Sequence, residues 1–483
     1  MKLSQLIESD LVCDPDISGL TLDSRQVKSG DVFFALAGTQ VHGERFIPMA
    51  IQNGAAAILR EAAEFQTYTK DKICHVDIPN LSQKLGSIAA RFYNQPSQSM
   101  QVVGITGTNG KTSVSHYVAQ LLPQTCGLLG TLGYGVYGQL QAGQHTTPDA
   151  IRLQALFAEF KQQAIQHVVM EVSSHALVQG RVNGIEFDTA VFTNLSRDHL
   201  DYHQTMQAYQ AAKLKLFQWD SLKTAIVNQD DALCKTIQQH LATNVRYLTY
   251  SIMDEAADIY AKIVQQHQQG YTLHIHTPWG QGQVELNLFG QFNIRNVLAA
   301  LSVVLNQGMT LDDALDAVQK LQAVAGRMQC LIESNQPTII IDYAHTPDAL
   351  EKVLRASRQH CSGQLHCVFG CGGDRDKGKR PEMGQIAQQF ADKVVITDDN
   401  PRHESSQAII DDILSGCQLS DNNLQIVADR AQAIHTAIDQ AQQQDIVVIA
   451  GKGHEDYQQV GDAFLHFSDE EQVREVFGAM QVR

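Results

Sequence analysis

The sequence lacks the features of a membrane or exported protein. It has no run of about 18 apolar residues, the length that a helix needs to cross a membrane. Near its start, Glu8 and Asp10 stand where a signal peptide would have its apolar core, so export is not expected. We therefore expect a cytoplasmic protein without membrane insertion.

The sequence also has no excess of basic over acidic residues. The net charge is −16, whereas general nucleic-acid binders are usually basic, so nucleic acid is not an expected partner. If the substrate is anionic, its site must gather cationic side chains locally. We expect small-molecule substrates and a monomer.

Zinc-like cysteine spacing is absent. The nine cysteines are scattered from Cys13 to Cys417, and the closest pair, Cys367 and Cys371, lies on an apparent strand. Disulfides are rare in a reducing cytosol. We expect free, buried thiols.

No internal repeat of solenoid length and no low-complexity tract is found. A length of 483 residues predicts about three domains. A linker composition at 94–99 and a new strand pattern near Cys330 suggest the segments 1–97, 98–329 and 330–483.

Apolar runs predict an α/β protein. GDVFFALAG and AAAILR indicate strands of a small mixed α/β domain, and MQVVGIT, HVVMEVSS, DTAVFTNLS and TAIVNQ, alternating with helical patterns, predict a mostly parallel central sheet. Alternating residues after Asp258 predict antiparallel strands appended to that sheet, and Thr310 is expected to cap a helix. TIIIDYA, LHCVFGC, KVVITDD and DIVVIAGKG alternate with helices and predict a Rossmann-like third domain.

The stretch VVGITGTNGKTS carries the strongest chemical signal. A strand leads to Gly107 and Gly110, whose small size lets backbone N–H groups surround phosphates. Lys111 would reach the terminal phosphates of a nucleotide, and Thr112 can offer a hydroxyl to magnesium. Because Ile105 replaces the first glycine of the strict phosphate-loop pattern, a chance glycine-rich turn is the alternative.

Possible metal ligands follow the next strands. Glu171 ends the strand HVVME and is placed to contact a magnesium ion, with a solvated strand-end carboxylate as the alternative. His199 follows the third strand and is either structural or, with His203, one of a helical metal pair.

An arginine follows a turn at the end of KVVITDD. Open α/β sheets bind ligands beyond the carboxyl ends of their strands, where Asp399, Asn400, Pro401 and Arg402 and the stretch GKGHE at 451–455 lie. The planar fork of an arginine matches a carboxylate. A solvated surface arginine is the alternative.

Six stretches, in chain order, resemble the motifs of the Mur ligase family of ATP-dependent amide-bond-forming enzymes: GTNGKTS, EVSSHAL, TNLSRDHLDYH, GQFNIRNVLAA, AGRM and DYAHTPDAL. The resemblance covers essentially the whole chain. It implies three domains, which bind a UDP-linked substrate, ATP and an amino acid. The chain looks like the members that add a diamino acid to UDP-N-acetylmuramoyl-L-alanyl-D-glutamate in peptidoglycan synthesis.

For ATP, the resemblance implies that Lys111 holds the γ-phosphate and that Asn296 contacts the adenine. Arg327, Asp342 and His345 would complete the ATP site. The loop residues of the same set are Gly107, Thr108, Asn109, Gly110, Thr112 and Ser113.

The resemblance also implies magnesium ions held by Thr112, Glu171 and His199. It places a carbamylated lysine at Lys213 in YQAAKLKLF, where the added carboxylate would suit a second magnesium ion. Without the resemblance, Lys213 would be an ordinary surface lysine. The implied catalytic residues are Lys111, Glu171, His199 and Lys213.

For the UDP-linked peptide, the resemblance implies ten residues: Leu22, Ser24, Thr39, Gln40, Val41, Thr146, Thr147, Ser173, Gln179 and Arg181. Family members usually have His-Gln-Ala where this chain has Thr-Gln-Val at 39–41. The resemblance therefore carries no side-chain role to Thr39, whereas backbone contacts would survive.

For the amino acid, members that add meso-diaminopimelate carry D-N-P-R, found here at 399–402, and members that add lysine lack that arginine. The implied pocket consists of Arg375, Asp399, Asn400, Pro401, Arg402, Gly451 and Glu455. Glu455 would bind the distal ammonium.

The implied chemistry is acyl activation by ATP. Transfer of the γ-phosphoryl group to the D-glutamyl γ-carboxylate makes an acyl phosphate, and the amine then expels phosphate, after domain closure. Amide ligases of the same fold that add lysine, or that extend folate with glutamate, are alternatives. A nucleotide-switched binding protein would use the phosphate loop for regulation alone.

Overall fold

A computed structural model describes residues 1–37, 42–143, 145–267, 269–418 and 423–481. It divides into two compact units, residues 1–250 and 251–483, and each is described by itself. Among the described residues, no helix is both long and apolar enough to span a bilayer.

The first unit contains, in chain order, α1 (Leu3–Ile7), β1 (Gly19–Thr21), β2 (Asp31–Ala35), α2 (Ile47–Gln52), β3 (Ala57–Glu61), β4 (Gln66–Lys70), β5 (Ile73–Ile78), α3 (Leu81–Phe92), β6 (Gln101–Thr106), α4 (Lys111–Leu121), β7 (Cys126–Gly130), β8 (Gly133–Val136), α5 (Ala150–Gln162), β9 (His167–Glu171), α6 (Ser174–Val178), β10 (Thr189–Phe192), α7 (Leu200–His203), α8 (Met206–Leu214), β11 (Thr224–Asn228), α9 (Leu233–His240) and β12 (Arg246–Ser251). Short 3-10 helices cover Ser24–Gln26, Gly43–Phe46, Pro96–Ser99 and Lys215–Gln218.

The second unit contains β13 (Ile259–His267), β14 (Gly270–Thr277), β15 (Gly280–Leu286), α10 (Gln291–Asn306), α11 (Leu311–Val318), β16 (Gln329–Leu331), β17 (Thr338–Asp342), α12 (Pro347–Arg358), β18 (Leu365–Phe369), α13 (Lys379–Phe390), β19 (Lys393–Ile396), α14 (Ser406–Leu414), β20 (Leu424–Ile426), α15 (Arg430–Gln440), β21 (Ile446–Ala450), β22 (Tyr457–Val460), β23 (Ala463–His466) and α16 (Asp469–Gln481).

The N-terminal sheet has the order β1-β2-β3-β5-β4 and is parallel except for β4. Successive side chains of a strand point to opposite faces, and β2 is buried on both. Val32 and Phe34 pack in one apolar cluster, whereas Phe33 and Ala35 pack in another. The predicted small α/β domain is confirmed.

The expectation that all the cysteines are free thiols is wrong for Cys13 and Cys74, which form a disulfide. Their Cα atoms lie 5.7 Å apart because the chain before β1 runs beside β5, and that distance suits a disulfide. The remaining cysteines are free, and Cys126, Cys234, Cys367 and Cys371 are buried.

The central sheet of the first unit has the order β12-β11-β10-β6-β9-β7-β8. Its neighbours pair in parallel except at the β7–β8 hairpin, which confirms the predicted mostly parallel sheet. The carboxyl ends of β6, β9 and β10 lie at one edge of the sheet, where the predicted phosphate loop and Glu171 follow the strands.

The second unit has an antiparallel ribbon, β13-β14-β15, and a six-stranded sheet of order β16-β17-β21-β18-β19-β20. That sheet is parallel except for β16, as predicted for a Rossmann-like domain. Thr310 caps α11 as expected, since its hydroxyl accepts a hydrogen bond from Asp313 N at 3.2 Å. The β22–β23 hairpin and α16 were not predicted.

Candidate active site

The predicted phosphate loop connects β6 to α4 and is held by the chain that follows β10. Thr108 N donates to Asn194 O at 2.8 Å, and Asn109 N donates to Asn194 Oδ1 at 3.0 Å. Gly107 and Gly110 have φ angles of +152° and +86°, a region that favours glycine. A Cβ on Gly107 would also overlap the Thr193 hydroxyl, so the loop requires glycine there.

Lys111 opens α4 and turns its ammonium into the loop. Its Nζ donates to the carbonyl oxygens of Gly107 and Thr108, each at 2.9 Å. The positive charge therefore lies where the N-terminal end of the helix already favours an anion.

Glu171, at the end of β9, is 1 % exposed, so it is not a solvated strand-end carboxylate. Its Oε2 accepts hydrogen bonds from the Thr112 and Thr131 hydroxyls, both at 3.1 Å, and its Oε1 accepts one from Thr131 N at 2.8 Å. Thr131 was not predicted, although its place directly after β7 is a signal for it.

Four of the residues predicted to bind the UDP-linked substrate form a chain of hydrogen bonds beside Glu171. The Thr147 hydroxyl donates to Glu171 O at 2.9 Å and accepts from Ser173 N at 3.2 Å. Arg181 donates to Thr147 O at 2.9 Å and to Gln179 Oε1 at 2.8 Å. These four residues thus lie next to Glu171.

The other predicted residues of that set are more dispersed. The Thr146 hydroxyl lies 3.1 Å from the Thr131 hydroxyl and so joins the same group. The Ser24 hydroxyl contacts Met49 Sδ at 3.4 Å, and Leu22 packs against the N-terminal apolar cluster. Thr39, Gln40 and Val41 lie outside the described residues.

Lys213 is 1 % exposed and therefore not a surface lysine. Its Nζ lies 4.4 Å from the centroid of the Tyr209 ring. Burial, and secondly the charge of Lys111, hold the pKa of Lys213 well below its usual value. A neutral amine is the form that reacts with carbon dioxide, so the environment suits carbamylation.

His199 lies at the N-terminal end of α7, whose last residue is His203. His199 has a φ of +52° and precedes α7, and its Nε2 lies 3.4 Å from Asp198 Oδ2. His203 is buried, with Nε2 at 2.9 Å from Ser174 Oγ. The rings of both histidines also contact those of His175 and Tyr209, at centroid distances of 5.0 to 6.1 Å, and a metal shared by His199 and His203 stays a prediction.

The donors around Glu171 fit magnesium better than zinc. In the part of the chain that the structure describes, no group of three or more His, Cys, Asp or Glu side chains could hold a metal ion. Magnesium commonly takes one or two carboxylates together with substrate phosphates and water. Thr112 and Glu171 supply a hydroxyl and a carboxylate of that kind.

In the second unit, the residues predicted for ATP cluster around Tyr343. The Arg327 guanidinium lies 4.9 Å from the centroid of the Tyr343 ring, and His345 Nδ1 lies 2.7 Å from Tyr343 O. Asp342 Oδ2 accepts a hydrogen bond from Met328 N at 2.7 Å. Burial raises the pKa of Asp342 to about 6, against the opposing effect of Arg327.

Asn296, which is also predicted to bind ATP, lies on α10, far from Tyr343 along the sequence. It is buried, and its Nδ2 donates to Asn293 Oδ1 at 3.1 Å. Asn293 in turn donates to Phe289 O at 2.9 Å. The amide of Asn296 is thus held by its own helix.

Arg402 and Arg375 approach the same backbone segment. Arg402 has a φ of +52°, and its Nη1 donates to Gly373 O at 2.8 Å. A Cβ placed on Gly372 would lie 2.7 Å from Arg402 Nη1 and 3.7 Å from Arg375 Cγ. The two predicted cationic residues therefore lie close together beyond the ends of β18 and β19.

Glu455 joins this region from the loop after β21. Asn400 Nδ2 donates to Glu455 Oε2 at 2.9 Å, and the Tyr343 hydroxyl donates to Glu455 Oε1 at 3.4 Å. Lys452, which was not predicted, donates to the same Oε2 at 3.2 Å. Gly451 packs against Asp399, since a Cβ there would lie 2.5 Å from Asp399 Oδ2.

Sequence comparison assigns the chain to a family. The models that match are the Mur ligase family catalytic domain at residues 16–93, the Mur ligase middle domain at 105–304 and the Mur ligase glutamate ligase domain at 326–453. The chain belongs to the Mur ligase family. The order of these Mur ligase domains agrees with the three predicted segments, whose boundaries stay predictions.

Relatives of this Mur ligase chain include the UDP-N-acetylmuramoyl-L-alanyl-D-glutamate–2,6-diaminopimelate ligase of Coxiella burnetii, which is 47 % identical over 98 % of each chain. A solved structure of an enzyme with the same name is 37 % identical, with a TM-score of 0.76 over 100 % of this chain and 99 % of that one. MurF ligase from Thermotoga maritima, solved in complex with ADP, is 19 % identical and has a TM-score of 0.63, covering 95 % of this chain and 97 % of its own. At that identity the likeness to MurF concerns the fold alone.

Proposed function

We propose that this Mur ligase joins meso-diaminopimelate to the γ-carboxylate of UDP-N-acetylmuramoyl-L-alanyl-D-glutamate, with cleavage of ATP to ADP and phosphate, in cytoplasmic peptidoglycan synthesis. The observation that carries the proposal is the position of Arg402 beside Arg375 beyond the ends of two parallel strands. Two guanidinium groups match the two carboxylates of diaminopimelate. The full-length similarity to ligases named for 2,6-diaminopimelate supports this substrate.

The proposed first step is phosphoryl transfer from ATP to the substrate carboxylate. Both groups are anionic, and Lys111, set in the phosphate loop, supplies a cation between them. Magnesium, held by Thr112 and Glu171, would neutralise further phosphate charge when it is bound. In such reactions, positioning and charge neutralisation supply most of the catalysis.

The proposed second step is attack by the amine on the acyl phosphate. Arg402 and Arg375 would orient the diamino acid through its carboxylates, and Glu455 would accept a hydrogen bond from its distal ammonium. The amine nitrogen forms the new C–N bond, the amine proton leaves, and phosphate departs from the tetrahedral intermediate.

Competition between amines tests the proposal. The purified protein is supplied with ATP, magnesium, the UDP-linked dipeptide and equal amounts of diaminopimelate, lysine and glutamate, and the products are identified by mass spectrometry. We expect the diaminopimelate adduct alone to form in quantity. A lysine adduct would indicate the lysine-adding ligase of this family. A parallel reaction, in which folate replaces the UDP-linked dipeptide, tests the other alternative, since glutamate chain extension of folate would indicate a folylpolyglutamate synthase-like enzyme.

A further inference from the structure

Lys452 is a fully buried lysine between two residues of the proposed diaminopimelate pocket. Its side chain is 0 % exposed. Its Nζ donates to Asn400 Oδ1 at 3.1 Å and to Glu455 Oε2 at 3.2 Å. The ring centroid of Tyr457 lies 5.3 Å from the same ammonium.

Lys452 fixes the orientation of the Asn400 side-chain amide, that is, the positions of its oxygen and its nitrogen. An ammonium can only donate hydrogen bonds and an ionised carboxylate can only accept them. Asn400 therefore turns its oxygen to Lys452 and its nitrogen to Glu455, and that nitrogen donates to Glu455 Oε2 at 2.9 Å. The Asn400 oxygen also accepts from Gln459 N at 2.9 Å.

The same lysine limits the orientations of the Glu455 carboxylate. Oε2 accepts from both Lys452 and Asn400, and Oε1 accepts from the Tyr343 hydroxyl. The Glu455 side chain is 16 % exposed, so part of it reaches solvent while Lys452 does not. A ligand can thus reach Glu455 but not the lysine behind it.

Stability alone gives a weak reason for such a lysine. Burying an ion pair costs desolvation that an apolar side chain of similar volume avoids, so buried pairs often add little to stability. A buried charge that orients two binding groups has a different use, because groups held rigidly before binding lose less entropy when a ligand arrives.

We propose that Lys452 is a positioning residue for diaminopimelate recognition, acting through Asn400 and Glu455 and not by contact with the substrate. The inference rests on the proposed function, since it concerns the pocket assigned to the diamino acid. It predicts that loss of the ammonium weakens amine binding while ATP and the UDP-linked substrate bind as before.

The test compares Lys452→Met and Lys452→Gln with wild type in steady-state kinetics, in which each of the three substrates is varied in turn. We expect Lys452→Met to raise the KM for diaminopimelate about tenfold, the usual effect of losing a hydrogen bond to a charged group. Lys452→Gln keeps a donor and should raise it less. The KM values for ATP and the UDP-linked dipeptide should stay within about twofold of wild type.

Lys352→Met is the matched control, because Lys352 is exposed on α12 and pairs with Asp348, four residues before it, at 2.7 Å. It should leave all three KM values unchanged. An unchanged diaminopimelate KM in both Lys452 variants would overturn the inference. So would loss of folding in both, or an equal rise in all three KM values, since either result would make Lys452 a structural residue.

The product that wild type forms distinguishes a failure of this inference from a failure of the proposed function. If wild type joins another amine and not diaminopimelate, the proposed substrate is wrong whatever the variants do. If wild type joins diaminopimelate and the variants bind it normally, the role of Lys452 alone is wrong.

Discussion

Lys111 is the residue on which the proposed phosphoryl transfer depends most. We expect Lys111→Ala to reduce product formation by on the order of a thousandfold or more, because a preorganised cation at developing phosphate charge is lost. Phosphate release and product mass are measured together, and the thermal unfolding midpoint checks that the fold is intact. Lys161→Ala, an exposed lysine near the end of α5, should behave as wild type. Retained turnover in Lys111→Ala would remove the lysine from the mechanism.

Arg402 offers a separate test of the amine pocket. A bidentate, charge-assisted contact in a buried site commonly contributes about 2–3 kcal/mol, so Arg402→Ala should raise the KM for diaminopimelate on the order of a hundredfold. Arg402→Lys keeps the positive charge but not the planar fork, so its KM for diaminopimelate should lie between those of wild type and Arg402→Ala. Arg474→Ala, on α16 and paired with Glu470 at 2.7 Å, serves as the exposed arginine control. A normal KM in Arg402→Ala would refute the assignment of this arginine to the substrate.

Asp342 should make stability depend on pH. Burial raises the pKa of its carboxyl from 3.8 to about 6 in the folded chain. Between about pH 4 and pH 6 the folded state therefore keeps a proton that the unfolded chain has lost, so the folded state loses stability as the pH rises. The whole shift corresponds to about 3 kcal/mol at most.

The comparison of wild type with Asp342→Asn isolates that effect. We expect the thermal midpoint of wild type to fall relative to the variant as the pH is raised from about 4 to about 7, because the amide does not titrate. The difference between the two proteins cancels the effect of other titrating groups. The assigned pKa would be contradicted if the difference between the two thermal midpoints did not change with pH, or if the midpoint of wild type rose relative to that of Asp342→Asn as the pH was raised.

Among the structural elements, the loops after β18 and β19 depend on close backbone contact. Gly373 N donates to Asn400 O at 2.9 Å, and a Cβ on Gly373 would overlap Pro401 O. Gly373→Ala should therefore separate the two loops. Since a misplacement of about 1 Å can cost on the order of a hundredfold in rate, we expect a large loss of kcat/KM for diaminopimelate.

The control for that substitution is Gly478→Ala on α16, where a Cβ would meet nothing within 4 Å. It should leave kinetics unchanged and stabilise the helix by about 0.5–1 kcal/mol. Kinetics for all three substrates and thermal midpoints are measured for both variants. Normal diaminopimelate kinetics in Gly373→Ala would mean that the loops tolerate the extra methyl group.

The sequence predicted most elements because hydrophobic patterning is local. KVVITDD and DIVVIAGKG are buried strands, as their apolar runs indicate. The β22–β23 hairpin was missed because its strands are largely exposed and carry no such run. The Cys13–Cys74 disulfide was missed because its cysteines are 61 residues apart, and only the folded chain brings them together.

For the candidate site, glycine, lysine and strand-end carboxylate patterns predicted where ligands would lie. The identity of each ligand came from family resemblance, since charge alone does not distinguish one carboxylate from another. Lys452 lies in the stretch GKGHE, three residues before its partner Glu455, but was not predicted because its burial and its contact with Asn400, 52 residues away, arise only in the folded chain. Thr131 was missed for a similar reason, since its partner Glu171 is 40 residues away.

At the scale of the whole molecule, a net charge of −16 opposes self-association. We therefore expect light scattering to give the mass of one chain, 53.3 kDa, in a buffer of physiological ionic strength. Salt screens this repulsion, so if chains associate at all, they should do so first at high salt concentration. A mass near twice that value at low salt would show that specific contacts outweigh the repulsion, and that the protein is not a monomer.

The position of the Lys111 ammonium has a consequence for the end of the catalytic cycle. This group donates to the carbonyl oxygens of Gly107 and Thr108, so the protein itself solvates its charge. If Lys111 holds the transferred phosphate, its ammonium can form these two hydrogen bonds again as that phosphate leaves. The exchange would limit inhibition by the released phosphate, since departure then leaves no bare cation in the loop.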